Sequence, residues 1–179
     1  MWVRYTLAPA VAVAIASSGS ALAHAPVLSS EEGRIAICIH ASARGHNWLE
    51  RSLWALRDTE GGWTGAAVLN TNGSYDLGPL QVNSWWVPKL ATMLGRRDEE
   101  VAAWLRDDPC FNVEVARWIF LSSFLQTRDF WTAIGLYHSR NLRLRTTYAH
   151  TVWLIYRRRF EQRAMTANSA APRTTRPSP

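Results

Sequence analysis

The sequence is poor in lysine and cysteine, and it has no long apolar stretch. Lys89 is the one lysine among 179 residues, and Cys38 and Cys110 are the two cysteines. The cysteines form no CxxC pair and no HExxH pattern occurs, so we assign no metal site and no cofactor. No apolar stretch reaches the roughly 20 residues of a membrane-spanning helix, which excludes a multi-span membrane protein. A repeat of solenoid period is absent too.

Arginine and tryptophan are abundant instead. Arginine supplies all but one of the 20 basic residues, and the formal net charge is +6 with a pI near 10.0. This charge favours an anionic partner, such as a nucleic acid, an acidic polymer or a membrane surface. The 10 tryptophans offer flat amphipathic faces that suit a ligand groove as well as a core. The hydrophobic fraction of 47% is enough to bury one core.

Residues 1–23 have the three parts of a secretory signal peptide. Arg4 gives a positive start, residues 7–16 are apolar, and Ala21-Leu22-Ala23 is a small-x-small cleavage site. The alternative is an uncleaved anchor, although the apolar run is short for one. We expect an exported, periplasmic protein that is cleaved after Ala23 and then has no stable membrane span.

Export changes the interpretation of the two cysteines. In an oxidising compartment, Cys38 and Cys110 are expected to form one structural disulfide. That bond would join the segment ahead of the first strong helix to the Asp108-Pro109-Cys110 turn. Two buried free thiols are the alternative.

The first strong helical pattern lies in the second quarter of the chain. Asn47 followed by Glu50 resembles a capping box, and leucines recur at helical spacing up to about Thr59. Gly61-Gly62 should end this helix. Residues 63–83 have no helical period and contain Asn72-Gly73, a strong turn signal, which predicts a loop or a short β-hairpin.

The remaining segments predict a mainly α domain of the α+β type, in which the hairpin or loop insertion flanks a substrate groove. We expect this domain to span residues 24–163. The tail at 164–179 is rich in Ala, Ser, Thr, Pro and Arg without an apolar period, which predicts disorder. Further helical patterns occur at Glu99–Arg106, Asn112–Leu125, Thr132–His138 and Thr147–Arg163.

Glu60 is the strongest candidate for a catalytic residue. It follows Leu56 by four residues and Leu53 by seven, so it lies on the apolar face of its helix. It is also in the last helical turn, where the unpaired carbonyls disfavour a carboxylate. Desolvation and the helix end both raise its pKa, and a protonated acid can donate to a leaving oxygen. The alternative is a helix that frays early and leaves Glu60 in water.

The loop that follows Glu60 carries further polar groups. Asp76 is a candidate second carboxylate, and Gln81 and Asn83 have amides that can bind sugar hydroxyls and acetamides. Trp85 and Trp86 offer faces for stacking. A protonated acid, a second carboxylate and an aromatic groove are the components that cleave a glycosidic bond.

Four segments carry further motifs: Glu60-Gly61-Gly62, the string from Asn70 to Asn83, Asp108-Pro109-Cys110-Phe111-Asn112, and Ala133-Ile134-Gly135-Leu136-Tyr137-His138-Ser139. Together they resemble the lysozyme-like superfamily, and more closely the specialised lytic transglycosylases encoded with conjugation and type IV secretion systems. The third segment is similar to a DPC-x-N segment of that group, and the fourth is similar to its A-x-x-x-Y-[NH]-S motif. The resemblance covers about Ile35–Tyr156.

The resemblance implies a lysozyme-like fold and an enzyme that cuts peptidoglycan glycan strands between N-acetylmuramic acid and N-acetylglucosamine. Glu60 would protonate the bridging oxygen and then act as base on the muramyl C6 hydroxyl, giving a 1,6-anhydro product. Tyr137 would hydrogen-bond near Glu60. The expected substrate contacts are Tyr75, Gln81, Asn83, Trp85, Tyr137 and His138. The implied role is to open the wall locally for a secretion or conjugation apparatus, whose components are candidate partners.

Two departures from the family pattern leave the product open. Gly61 stands where serine usually follows the catalytic glutamate. Asp76 occupies the position at which the Gly-Ser-x-Asp-x-Gly string of animal-type lysozymes carries its second carboxylate, so a hydrolytic muramidase that uses Glu60 and Asp76 is the alternative. A non-catalytic peptidoglycan-binding module is a further one. Nucleic acid is not the expected partner, because export and the scattered arginines weigh against it.

Overall fold

The computed structural model describes residues 30–169, with side chains to residue 161. The expected signal peptide at 1–23 and residues 170–179 of the expected tail lie outside this part. The elements, in chain order, are α1 (Glu31–Ala43), α2 (Asn47–Glu60), β1 (Ala67–Leu69), β2 (Tyr75–Leu77), β3 (Val82–Asn83), a 3-10 turn (Ser84–Trp86), α3 (Val87–Leu94), α4 (Asp98–Asp107), α5 (Pro109–Thr127), α6 (Phe130–His138) and α7 (Leu142–Ser169).

The helices bury one apolar core, as the predicted mainly α fold with a small β insertion requires. Helix α5 lies between α1 and α6, and α7 packs against both α2 and α6. Ile35, Leu53, Leu56, Phe120 and Ile134 are fully buried at the centre of this arrangement. Burial of side chains of this size stabilises the fold by about 1.5–3 kcal/mol each. The core fixes how the end of α2 faces α6 and α7.

Helices α1 and α3 are not among the predicted helices. Residues 26–33 read as a polar lead-in, yet the Ser30 side chain accepts a hydrogen bond from Gly33 N at 3.2 Å and so caps α1. The buried residues Ile35, Cys38 and Ile39 of α1 then pack against α5. Helix α3 has 8 residues, which is too short for a clear helical period.

The two ends of α2 differ in how well they were predicted. The capping box at Asn47 is wrong: His46 is the N-cap residue, and its side chain makes no capping bond. The Glu50 carboxylate instead lies 3.2 Å from His40 Nδ1 of α1. The end of the helix is confirmed, because Gly61 adopts a left-handed φ of 62° and donates its N–H to Arg57 O.

The predicted β insertion forms a three-stranded antiparallel sheet in the order β1-β2-β3. Asp76 pairs with Val68 on one side and with Asn83 on the other. The turn between β1 and β2 contains Gly73 at a φ of 82°, in agreement with the turn signal at Asn72-Gly73. The sheet therefore follows α2 directly and lies beside Glu60.

Cys38 and Cys110 form the predicted disulfide. Cys38 lies within α1 and not in a segment ahead of the first helix, so the bond joins α1 to the first turn of α5. Asp108 is the N-cap of α5 and accepts from Cys110 N at 2.9 Å. Pro109 occupies the first helical turn, where its missing N–H is not needed.

Helix α7 is longer at both ends than the predicted helix Thr147–Arg163. It begins at Leu142 and ends at Ser169, so residues 164–169 of the predicted disordered tail are helical. Between residues 30 and 169, no helix is both long enough and apolar enough to cross a bilayer.

Candidate active site

Glu60 ends α2 in a half-buried position, where α2 packs against α7. Its Oε1 accepts a hydrogen bond from the Tyr148 hydroxyl. The pKa of Glu60 is raised to about 7: burial is the main cause, the bond from Tyr148 opposes the rise, and the nearby Asp76 carboxylate adds a smaller rise. The direction agrees with the expectation from the apolar face of α2. A carboxyl group with this pKa is partly protonated at neutral pH and can both donate and accept a proton.

Tyr148 is the partner of Glu60 that the sequence interpretation missed. It comes from α7, is buried, and stacks against the exposed His138 of α6 with ring centroids 4.7 Å apart and planes 3° from parallel. Burial and the Glu60 charge raise the pKa of Tyr148 well above its ordinary value, so its hydroxyl keeps its proton. The available signal was the spacing of Tyr148 and Val152, which places both on the inner face of α7.

Tyr137 lies near Glu60, and its hydrogen bond is made to the backbone of the neighbouring loop. Its hydroxyl donates to Leu80 O at 2.7 Å, in the loop between β2 and β3. Burial raises the pKa of Tyr137 well above its ordinary value, with smaller contributions from Glu60 and Asp76. Tyr137 therefore lies near both carboxylates but hydrogen-bonds the loop between β2 and β3, whereas Tyr148 hydrogen-bonds the Glu60 carboxylate.

Asp76 and Asn83 form one hydrogen-bonded unit on the sheet. Asn83 Nδ2 donates to Asp76 Oδ1 at 2.8 Å and to Ser74 Oγ at 3.0 Å. Asn83 Oδ1 accepts from Trp85 N at 3.0 Å, at the start of the 3-10 turn. The Asn83 amide thus makes three hydrogen bonds within the protein, and its contact with sugar stays a prediction. It orients Asp76 beside Glu60.

Gln81 lies over the glycine pair that follows Glu60. It adopts a φ of 47°, and its Nε2 donates to Gly78 O at 2.8 Å. A Cβ added to Gly62 would come within 2.6 Å of Gln81 Nε2 and would meet Gly78 O as well. Gly62 is therefore required for the loop between β2 and β3 to close onto the end of α2.

Asn112 binds the backbone of this loop, a role that the sequence motif containing it does not predict. It is fully buried in α5 and makes three hydrogen bonds: from Nδ2 to Leu77 O at 2.7 Å and to Leu105 O at 2.8 Å, and to Oδ1 from Leu80 N at 2.9 Å. These bonds join β2, α4 and the loop between β2 and β3. The loop that contacts Tyr137 thus has a fixed backbone.

The remaining expected contact residues lie on the surface around this centre. Trp85 is 74% exposed, and Trp63, Tyr75 and His138 are also exposed. Trp86 is different, because it packs edge-on against Trp118 at 5.4 Å, with the Lys89 ammonium 5.1 Å from the Trp118 ring centroid. The exposed rings can stack on flat ligands, whereas Trp86 belongs to the packed structure.

Metal-assisted chemistry has no ligand set in this part of the chain. Across residues 30–161, no group of three or more His, Cys, Asp or Glu side chains is arranged to hold a metal ion. An open hollow of about 620 Å³ at the start of α7 is lined by Asn141, Leu142, Arg143, Thr146 and Thr147, and does not include Glu60. Glu60 and Tyr148 are joined by a hydrogen bond outside this hollow.

The chain is similar in sequence to several bacterial proteins, and no protein-family model matches it. It is 34% identical over 109 residues to Invasion protein IagB of Salmonella typhi, covering 58% of this chain and 64% of that one. It is 33% identical over 99 residues to IagB of Salmonella typhimurium strain SL1344, covering 52% and 58%. A peptidoglycan-binding-like protein of Escherichia coli O157:H7 is 28% identical over 93 residues, covering 50% and 54%. The chain thus spans between 54% and 64% of the length of these relatives.

Proposed function

We propose that this protein cleaves the glycan strands of peptidoglycan as a lytic transglycosylase, with Glu60 as its catalytic residue. The observation that carries the proposal is the half-buried Glu60 carboxyl with a pKa near 7, which accepts a hydrogen bond from Tyr148. The name of the Escherichia coli relative supports peptidoglycan as the ligand. The motif resemblance around Glu60, Asp76 and Tyr137 supports the bond class.

One carboxyl group is enough for the proposed reaction. Glu60 donates its proton to the oxygen that bridges N-acetylmuramic acid and N-acetylglucosamine, and the bond from that oxygen to the muramyl C1 breaks. The muramyl C6 hydroxyl then attacks C1, and its proton returns to Glu60, so the product is a 1,6-anhydro sugar and no water is consumed. Tyr148 keeps the carboxyl oriented in both steps.

Asp76 helps Glu60 electrostatically in this mechanism. Its charge is one cause of the raised pKa of Glu60. Its hydrogen bond to Asn83 holds it on the sheet, which favours a positioning role. The alternative is a hydrolytic muramidase, in which Asp76 acts on the substrate and water supplies the hydroxyl group at C1 of the product.

Peptidoglycan lies outside the cytoplasm, so we propose that the protein is exported by the N-terminal segment 1–23. The motif resemblance supports a role in opening the wall locally for a secretion or conjugation apparatus. Cell fractionation tests the export step. We expect the full chain in the periplasmic fraction, and we expect a chain without residues 1–23 to stay in the cytoplasm.

The first experiment is mass spectrometry of the soluble products from purified peptidoglycan. We expect fragments that end in 1,6-anhydromuramic acid from the wild-type protein and none from Glu60→Gln, since the amide has no acidic proton to transfer. Glu99→Gln, on the exposed face of α4, is the matched control and should retain activity.

Each alternative gives a different product. Reducing-end fragments, one water heavier, would replace the transglycosylase by a hydrolase and make Asp76 the next residue to change. Retention on insoluble peptidoglycan without any soluble product would identify a binding module. Undiminished cleavage by Glu60→Gln would exclude the mechanism altogether.

A further inference from the structure

The charges of the described chain are unevenly distributed between its two halves. Residues 30–114 contain twelve acidic and eight basic residues, a formal charge of −4. Residues 115–160 contain eight arginines, and Asp129 is their one acidic residue, a formal charge of +7. This second segment comprises most of α5, all of α6 and α7 up to residue 160. Within residues 30–160, the basic excess thus belongs to one run of consecutive helices.

Helix α7 presents part of this charge along its outer surface. Arg143, Thr147, His150, Leu154 and Arg158 recur at steps of three or four residues, and all five are exposed. We call these five residues the outer stripe. It is about 22 Å long at the rise of an α-helix.

The arginines of the outer stripe are not neutralised by neighbouring carboxylates. Arg157 binds Glu161 at 2.6 Å and Arg159 binds Asp58 at 2.7 Å. Among the side chains of residues 30–161, by contrast, no carboxylate lies within ion-pair distance of Arg143 or Arg158. The stripe therefore offers two guanidinium groups to an external anion.

Exposed leucines accompany these arginines. Leu154 of the outer stripe is 49% exposed, and Leu142, next to Arg143, is 66% exposed. The Trp153 ring lies below His150, with centroids 5.6 Å apart. Leucines beside arginines match the headgroup region of a bilayer, where guanidinium groups meet phosphates and apolar side chains reach the acyl boundary. A soluble polyanion would take the charge but would bury little of the leucine surface.

We propose that the outer stripe of α7 docks this protein peripherally on an anionic phospholipid surface. Tyr148 and Val152, on the inner side of the same helix, are buried, and Tyr148 holds Glu60. His150 follows Tyr148 by two residues and thus points to the opposite side of the helix. Docking therefore leaves the Glu60 side of the protein facing away from the lipid.

The test is co-sedimentation of the mature chain with vesicles at low ionic strength. We expect binding to vesicles of phosphatidylglycerol and phosphatidylcholine, weakened by added salt, and none to phosphatidylcholine alone. Each arginine near a charged surface contributes roughly a fivefold factor in partitioning, so Arg143→Gln/Arg158→Gln should weaken binding about 25-fold. Arg34→Gln/Arg96→Gln makes the same change of net charge at exposed positions of the acidic half and should leave binding nearly unchanged.

Two matched leucine substitutions distinguish binding to a membrane from binding to a soluble polyanion. Leu154→Ser should reduce vesicle binding at least about threefold. Leu94→Ser, in which the leucine of α3 is similarly exposed at 47%, should not. Equal effects of the two arginine pairs, equal effects of the two leucine changes, or tighter binding to dextran sulfate than to vesicles would each overturn the proposal. None of these outcomes bears on cleavage, which is measured on peptidoglycan without lipid.

Discussion

Glu60 loses hydration at the end of α2, and this makes its proton a contributor to stability. Its pKa is near 7 in the folded chain against an ordinary value of 4.5. Below about pH 4.5 both states hold the proton and stability is unaffected. Between pH 4.5 and 7 the unfolded chain releases it first, so the free energy of unfolding falls, by on the order of 3 kcal/mol above pH 7.

We therefore expect Glu60→Gln to be more stable than the wild-type protein at pH 8, and this advantage to shrink at pH 5. Urea unfolding of both proteins at the two pH values measures the difference, with Glu99→Gln as the control for a change of net charge. A stability difference independent of pH would mean that Glu60 is ionised and solvated in the folded chain.

Tyr148 acts on the same proton in the opposite direction. Its hydroxyl stabilises the ionised form of Glu60, so Tyr148→Phe should raise the pKa of Glu60 further and move the alkaline limb of the cleavage profile to higher pH. The maximal rate should fall by roughly tenfold or more, because the carboxyl loses its orienting bond. Tyr156→Phe, elsewhere on α7, is the matched control. A lower rate with an unshifted pH profile would show that Tyr148 only fills space.

At the scale of elements, the Asn112 side chain joins β2, α4 and the loop between β2 and β3. Asn112→Ala leaves Leu77 O, Leu105 O and Leu80 N without their partner inside the core, and each buried unsatisfied group costs about 1–3 kcal/mol. We expect a loss of at least about 3 kcal/mol in urea unfolding. Gln126→Ala, at an exposed position of the same helix, should change stability by less than about 0.5 kcal/mol.

The elements also show what the sequence can and cannot predict. The end of α2 at Gly61 and the turn at Asn72-Gly73 follow from backbone preferences of single residues, and both were predicted. Helix α1 was missed because its stability comes from packing on α5 and from the disulfide, which are tertiary effects. Its spacing of Ile35, Cys38 and Ile39 is the signal that was present.

The site divides in the same way. The apolar face of α2 predicts that Glu60 is desolvated, since that property is local to one helix. Which hydroxyl binds Glu60 depends on how α6 and α7 pack against α2. Tyr137 and Tyr148 both lie on inner faces, and the sequence alone does not distinguish their acceptors. The bond of Asn83 to Asp76 likewise depends on the strand pairing that places the two residues opposite each other, which the sequence alone does not show.

At the scale of the whole molecule, the disulfide closes a 72-residue loop that contains α2, the sheet, α3 and α4. Glu60, Asp76 and Asn83 lie inside this loop. Tyr137 of α6 and Tyr148 of α7 lie outside it. Cross-linking a loop of this length removes chain entropy from the unfolded state and stabilises the fold by about 4 kcal/mol. The disulfide thus stabilises the part of the chain that contains Glu60 and the sheet.

Reduction should therefore destabilise the protein by about this amount without changing the local chemistry of Glu60. The measurement is urea unfolding of the mature chain with and without dithiothreitol, together with Cys38→Ala/Cys110→Ala. The double variant should match the reduced wild-type protein within about 1 kcal/mol and should not respond to dithiothreitol. Where the variant remains folded, its cleavage should keep the pH profile of the oxidised protein, because α6 and α7 still supply Tyr137 and Tyr148. A shifted profile would mean that the disulfide positions Glu60 directly and does more than stabilise the fold.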